Sequence, residues 1–257
     1  VDPDASTRRY QINSLLLQYT PIEGNKSTNL AKIVKLIDKR SNLFNLIVLP
    51  FNSLIGENVN QNNFRKYAEV LNGDSSIKMA GLAKKYRTYL IFSMPEKDNN
   101  KYYETAILLN PEGKTVGIYR KTHLNAPEKK WATPGDNLPV FSTAIGRIAL
   151  ILNDEVRIPE LTDIYSLKRT DIIAIGASYN GSYGGIVETP VNLLVSPYPK
   201  NSMFIWYNMA KYAQAYVLAA NYQGGSKNDV GGSSVYSLDP EVGFFPPHVA
   251  EKNMEEA

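Results

Sequence analysis

The stretch that decides the reading is GRIALILNDEVRIPE, residues Gly146 to Glu160. Its first half, Gly146 to Leu152, is an apolar run opened by a glycine and reads as a strand buried on both faces. Polarity then changes abruptly at Asn153-Asp154-Glu155. Pro159 stands where a following helix would start, because its fixed φ suits a first helical turn. Leu161, Ile164 and Tyr165 supply that helix with an apolar face. A buried strand that runs into a polar corner and then a helix belongs to an α/β protein, and such corners are common places for a nucleophile or a phosphate site. Taken alone, Asn153 is an ordinary turn residue, and neighbouring carboxylates such as Asp154 and Glu155 usually face solvent.

Working outward, the same alternation repeats. Gln11 to Gln18 predicts a buried strand. Ser27 can cap a helix reaching Asp38, with Leu30, Ile33, Val34 and Ile37 forming its stripe. Leu43 to Leu49 predicts a buried strand stopped by Pro50. Ile77 to Lys85 reads as helix and Thr88 to Ser93 as strand. Tyr102 to Leu109 and Thr115 to Tyr119 flank the turn sequence Asn110-Pro111-Glu112-Gly113 and predict a hairpin. Downstream come a strand at Asp171 to Ile175, an aromatic-rich helix at Met203 to Gln214, and strands at Ala215 to Ala220 and Val235 to Leu238. Strand–helix–strand units thus frame a hairpin-rich middle. The expected class is α/β, a sandwich of mixed sheets with helices outside. Two architectures fit this pattern: a metal-dependent phosphoesterase-like sandwich and the nitrilase sandwich.

Composition narrows the chemistry. The 257 residues are 43% hydrophobic and 21% charged, enough for one large core and unlike a disordered chain or a rod. The absence of cysteine excludes disulfides, thiolate nucleophiles and Cys-ligated metals. Two histidines, His123 and His248, exclude a His-rich metal site. A net charge of +3 is too mild to argue for nucleic acid or an anionic membrane. No apolar run approaches the ~20 residues of a membrane span. No internal repeat divides the chain. One domain over residues 11–250 is expected, between a polar tail or linker at 1–10 and an acidic tail at 251–257. Val1 to Tyr10 has no apolar core of a leader, so the cytoplasm is the default compartment. The glycine-containing loops at 176–185 and 224–234 lack a phosphate-loop pattern.

Three segments could carry chemistry. The first is Gly117 to Asp136, GIYRKTHLNAPEKKWATPGD, where Lys121 lies just past a strand end. Read alone, Tyr119-Arg120-Lys121 is a solvated basic edge, Glu128 a surface charge and His123 a hydrogen-bonded structural residue. The second is the corner at Asn153, and the third is Leu49-Pro50-Phe51-Asn52, at the end of another buried strand.

Together these segments resemble the nitrilase superfamily of carbon–nitrogen hydrolases, and its amidase and carbamoylase branches most. QINSLLLQYTP is similar to the family's opening strand and NLIVLPFNSLIGE to its second, which ordinarily ends in Pro-Glu. GIYRKTHL with Glu128 and Pro134-Gly135-Asp136 resembles the lysine motif. GRIALILNDEVRIPE resembles the nucleophile motif. AKYAQAYVLAANYQGG and GGSSVYSLDPEVG resemble later family segments. The resemblance implies a four-layer α-β-β-α sandwich that pairs through helices near the nucleophile corner into a homodimer. It implies hydrolysis or acyl transfer at an amide, carbamoyl or nitrile group by Glu, Lys and Cys with a second Glu, and no cofactor or metal.

Carried over by position, Lys121 and Glu128 are retained. Phe51 stands at the general-base position and Asn153 at the nucleophile position, seven residues before Glu160. Asparagine is no nucleophile at neutral pH and phenylalanine accepts no proton, so loss of both should remove the family chemistry. With the base gone, Glu128 is expected to be the anionic partner of Lys121, against Phe51. The implied protein is a pseudoenzyme: a binding, regulatory or scaffold subunit with a small-molecule ligand, without nucleic acid and without a membrane span. The alternative is an active hydrolase with a non-standard set, in which Asp154, Glu155, Tyr179 or Ser178 supplies the missing groups.

Overall fold

Alternation along the strands dictates the layers. The structure, a computed structural model, describes residues 12–40, 44–180 and 204–236 and three two-residue strands beyond them. The first sheet has the order β1-β2-β3-β4-β5. It is built from β1 (Ser14–Leu16), β2 (Leu46–Val48), β3 (Tyr89–Asp98), β4 (Lys101–Leu109) and β5 (Thr115–Arg120). β1, β2 and β3 run parallel, and β3, β4 and β5 are antiparallel neighbours. Helices α1 (Lys26–Asp38), α2 (Phe64–Tyr67) and α3 (Asp74–Tyr86) fall between the parallel strands.

The second sheet repeats the plan. It contains β6 (Phe141–Thr143), β7 (Gly146–Leu152), β8 (Ile172–Ala177) and β9 (Tyr216–Asn221), with β7, β8 and β9 parallel. Helices α4 (Pro159–Leu167) and α5 (Phe204–Ala213) accompany them. The short strands β10 (Gln223–Gly224) and β11 (Asp229–Val230) pair with each other. Strand β12 (Ser234–Tyr236) joins β9, β13 (Leu238–Asp239) pairs with β14 (Gly243–Phe244), and β15 (His248–Val249) completes the second sheet.

Leu46 and Val48 point one way from β2, into a core shared with Leu150, Leu152, Ala174 and Leu218 of the second sheet. Ile47 and Leu49 point the other way, against Ile33, Ile37, Met79 and Leu82 of α1 and α3. On the opposite side, Ile151, Ile173 and Val217 face Leu161, Tyr165, Trp206 and Met209 of α4 and α5. Three apolar interfaces separating four layers give the α-β-β-α sandwich. Among the described residues no helix is long and apolar enough to cross a membrane.

Several boundaries move. Asn25, not Ser27, caps α1, its side chain accepting from Thr28 N–H at 3.1 Å; Ser27 already lies in the first turn. β3 extends well beyond Ser93 and passes through Pro95, where β2 has ended and no ladder hydrogen bond requires an N–H on that side. The tails at 1–10 and 251–257, and residues 181–185 of the glycine loop, lie outside the described residues.

Candidate active site

Two strand ends meet where the sheets come together. At the end of β2, Phe51 N–H donates to the carbonyl of Ala177 at 3.1 Å, tying the first sheet to β8. Gly176 permits the approach, since a Cβ there would lie 3.3 Å from the Leu49 carbonyl oxygen. Both corners use an asparagine in the left-handed region: Asn52 and Asn153 each have φ 50°. Asparagine tolerates that conformation better than other side chains with a Cβ, so residue type suits backbone at both turns. The Asn153 side chain is engaged structurally, its Oδ1 accepting from Ser178 N–H at 3.1 Å.

Lys121 is the centre. Its backbone is held on both sides: its N–H donates to the Glu104 carbonyl at 2.8 Å, and its carbonyl accepts from Gly135 N–H at 2.9 Å. Gly135 is required there, because a Cβ would sit 2.2 Å from the Arg120 carbonyl oxygen. This explains the glycine of Pro134-Gly135-Asp136. The side chain of Lys121 is fully buried. Its Nζ lies 2.7 and 2.6 Å from the two oxygens of Glu128 and also contacts Asp154. Burial pulls the ammonium's pKa down, but Glu128 and Asp154 together outweigh it and hold the group above the ordinary lysine value. Glu128 is pushed up by burial, against the pull of Lys121. Asn125 fixes Glu128, donating N–H to its Oε2 at 2.9 Å.

The basic run therefore divides by strand alternation. Arg120 faces out, to Glu96 and Asp98, while Lys121 faces in. The expectation of Glu128 as the remaining anionic partner is corrected by Asp154, which brings a second carboxylate to the same ammonium. Asp154 does not simply face solvent; its side chain is 20% exposed. Glu155 is buried and braces the corner, accepting from Tyr119 O–H at 2.6 Å, Thr122 N–H at 3.0 Å, His123 N–H at 3.1 Å and Leu152 N–H at 3.2 Å. Tyr179 lies in the outer core of the second sheet, its ring centroid 6.2 Å from that of Trp206. Phe51 joins the core between the sheets. The next residue, Asn52, is the one that reaches toward the lysine: its Nδ2 donates to Glu104 Oε1 at 3.3 Å.

Sequence reasoning missed Glu104, Glu57 and Asp229. Glu104 is 2% exposed, and burial first, then the charge of Glu128, pushes its carboxyl up to about 8. The signal was a glutamate inside the otherwise apolar strand KYYETAILL. Glu57 is buried beyond Asn52. Ser178 Oγ donates to Glu57 and lies 3.3 Å from Asp229 Oδ2. Burial and a hydrogen bond with Glu57 hold the Asp229 carboxyl well above the ordinary aspartate value. Among the described residues no group of His, Cys, Asp and Glu could hold a metal ion.

The carbon–nitrogen hydrolase family model matches residues 16–250. This chain belongs to the carbon–nitrogen hydrolase family. It is 31% identical over 172 residues to the omega-amidase NIT2 of Xenopus tropicalis, covering 62% of this chain and 61% of that one. The chain spans between 46% and 66% of the length of the first curated relatives it matches. The crystal structure of Nit3 from Saccharomyces cerevisiae, a nitrilase-superfamily member, superposes with a TM-score of 0.76 at 24% identity, covering 96% of this chain and 87% of that one. An amidase from Nesterenkonia sp. AN1, with acrylamide added to its active-site cysteine, superposes with a TM-score of 0.70 at 20% identity, covering 95% and 91%. The nitrilase-type sandwich is therefore the fold of this carbon–nitrogen hydrolase family member.

Proposed function

We propose that this family member has lost covalent thiol chemistry and uses the inherited pocket to bind a small molecule with an amide, carbamoyl or nitrile-like group, as a binding, regulatory or scaffold subunit. The observation that carries this reading is Asn153. It stands at the left-handed corner where the resemblance places the nucleophile, its amide is committed to Ser178 N–H, and no cysteine exists anywhere in the 257 residues to replace it. A carboxamide is a weak nucleophile at neutral pH, and Phe51 offers no base. Lys121, Glu128 and Asp154 then shape and charge the pocket.

Glu104 favours one second reading, an active hydrolase with a non-standard set, because it places a proton-accepting carboxyl beside Lys121. Turnover of a panel of amides, carbamoyl compounds and nitriles separates the two. The expected result is no hydrolysis above an Asn153→Ala control; turnover that disappears in Lys121→Ala would sink the pseudoenzyme reading.

Dimerisation belongs to the same proposal. A groove of about 550 Å³ opens between α4 and α5, lined among others by Arg157, Asp163, Asn208 and half-exposed Tyr212. Light scattering should report a dimer that Asn208→Arg weakens. A cytoplasmic location accompanies this reading and is checked by cell fractionation.

A further inference from the structure

Lys121 has three N–H donors, and all three are engaged: two contacts to Glu128 and one to Asp154. Glu104 is nevertheless its neighbour on the next strand. The pair Thr105–Arg120 is in register between β4 and β5, and the Lys121 N–H to Glu104 carbonyl bond adds the following rung. Side chains at such a rung lie on one face, with Cβ atoms about 5 Å apart. Glu104 thus sits beside an ammonium that has nothing left to give it. Its Oε1 receives one 3.3 Å bond from Asn52, while its Oε2 finds no donor among the described residues. Asn52 Oδ1, on a fully buried side chain, is equally without one. Two adjoining buried acceptors without donors are costly and call for a group that brings N–H or O–H bonds.

The charge around them selects which group. Glu104, Glu128 and Asp154 crowd around the single ammonium of Lys121. Lys227 adds a weaker attraction on Glu104, and its own Nζ donates to the Glu57 carbonyl at 2.9 Å. An anionic ligand would meet no uncommitted donor on Lys121. A cationic one would supply both the hydrogens and the charge that the carboxyls lack.

We propose that Asn52 Oδ1 and Glu104 Oε2 form the nitrogen end of a binding site for a small primary ammonium, a protonated alkylamine, with Glu104 as its counter-ion. The inference rests on the reading of the pocket as a binding site and names its ligand class. Burial keeps a proton on Glu104 at neutral pH, under the opposed influences of Glu128 and of Lys121 and Lys227. An arriving ammonium stabilises the carboxylate, so the proton leaves to solvent as the amine enters.

The test is calorimetric titration of the whole protein with methylammonium, tetramethylammonium and acetamide, at neutral pH in two buffers of different ionisation heat. Methylammonium is expected to bind with release of about one proton. Tetramethylammonium, without N–H, should bind about tenfold more weakly or worse. Glu104→Gln keeps the side-chain volume and should weaken methylammonium by about tenfold or more while removing the proton release. Asn52→Gly keeps the left-handed backbone, removes the second acceptor and should also weaken it. Acetamide binding that survives in both variants, with no methylammonium binding to the parent, would overturn the inference and leave the pocket reading standing. Absence of binding by all three probes would overturn both. Methylammonium binding unchanged in both variants would mean that water satisfies these two acceptors, and it too would overturn the inference.

Discussion

Asn153 shows how much one residue can carry. Its φ of 50° is a conformation in which a Cβ crowds the neighbouring carbonyl, and its Oδ1 holds Ser178 N–H across to β8. Glycine would relieve the first and lose the second, whereas alanine would lose both. Asn153→Ala should therefore unfold at lower urea than Asn153→Gly, by about 1 kcal/mol. Lys121 is the opposite case, a residue whose removal leaves charge behind. In Lys121→Met the methylene stem is kept, but Glu128 and Asp154 face each other without a cation. Urea denaturation should show a loss of about 3–5 kcal/mol, moderated by the partial exposure of Asp154. Loss of less than about 1 kcal/mol would mean the cluster has relaxed into solvent.

At the scale of elements, the end of β5 and the end of β7 come from different sheets, and Glu155 joins them. One carboxylate accepts from Tyr119, Thr122 and His123 after β5 and from the backbone of Leu152 at the end of β7. Glutamine has the same shape but one acceptor oxygen fewer, so its amide would meet donors with a donor. Glu155→Gln should cost about 2–3 kcal/mol although no packing changes, as read from the midpoint of chemical denaturation. The capping of α1 carries a related lesson. Any of Asn25, Ser27 and Thr28 offers a capping oxygen, and only the path of the chain from Ile22, pinned by Asn29, decides that Asn25 takes the role.

The whole molecule stores its unusual carboxyls between the sheets and loops, and this sets its response to pH. Glu104 is raised from the ordinary glutamate value to about 8 in the folded protein, chiefly by burial. Asp229 moves the same way. The folded state thus holds more protons than the unfolded one between about pH 4.5 and 8, so this contribution is fully present below that window and is lost as pH rises through it. Thermal unfolding should show stability falling from mildly acid to mildly alkaline pH, and Glu104→Gln should flatten the slope. Much of the fold was legible beforehand, because buried strands and amphipathic helices announce themselves through local periodicity: Gly146–Leu152 and the hairpin at Asn110–Gly113 needed no partner to be read. The retained Lys121–Glu128 pair and the replaced residues at Phe51 and Asn153 were legible from motif order. What stayed hidden was every relation depending on which strand lies beside which. A glutamate in β4, an aspartate in β11 and an asparagine after β2 become one buried set only when two sheets close face to face, distances that no local spacing encodes. The amino-acid sequence alone determined the four-layer class and the absence of a thiol, since periodicity and composition are local properties. Tertiary structure alone decided that Asp154 joins Lys121 and that Glu104 is left without a cation, since burial and pairing arise from long-range packing.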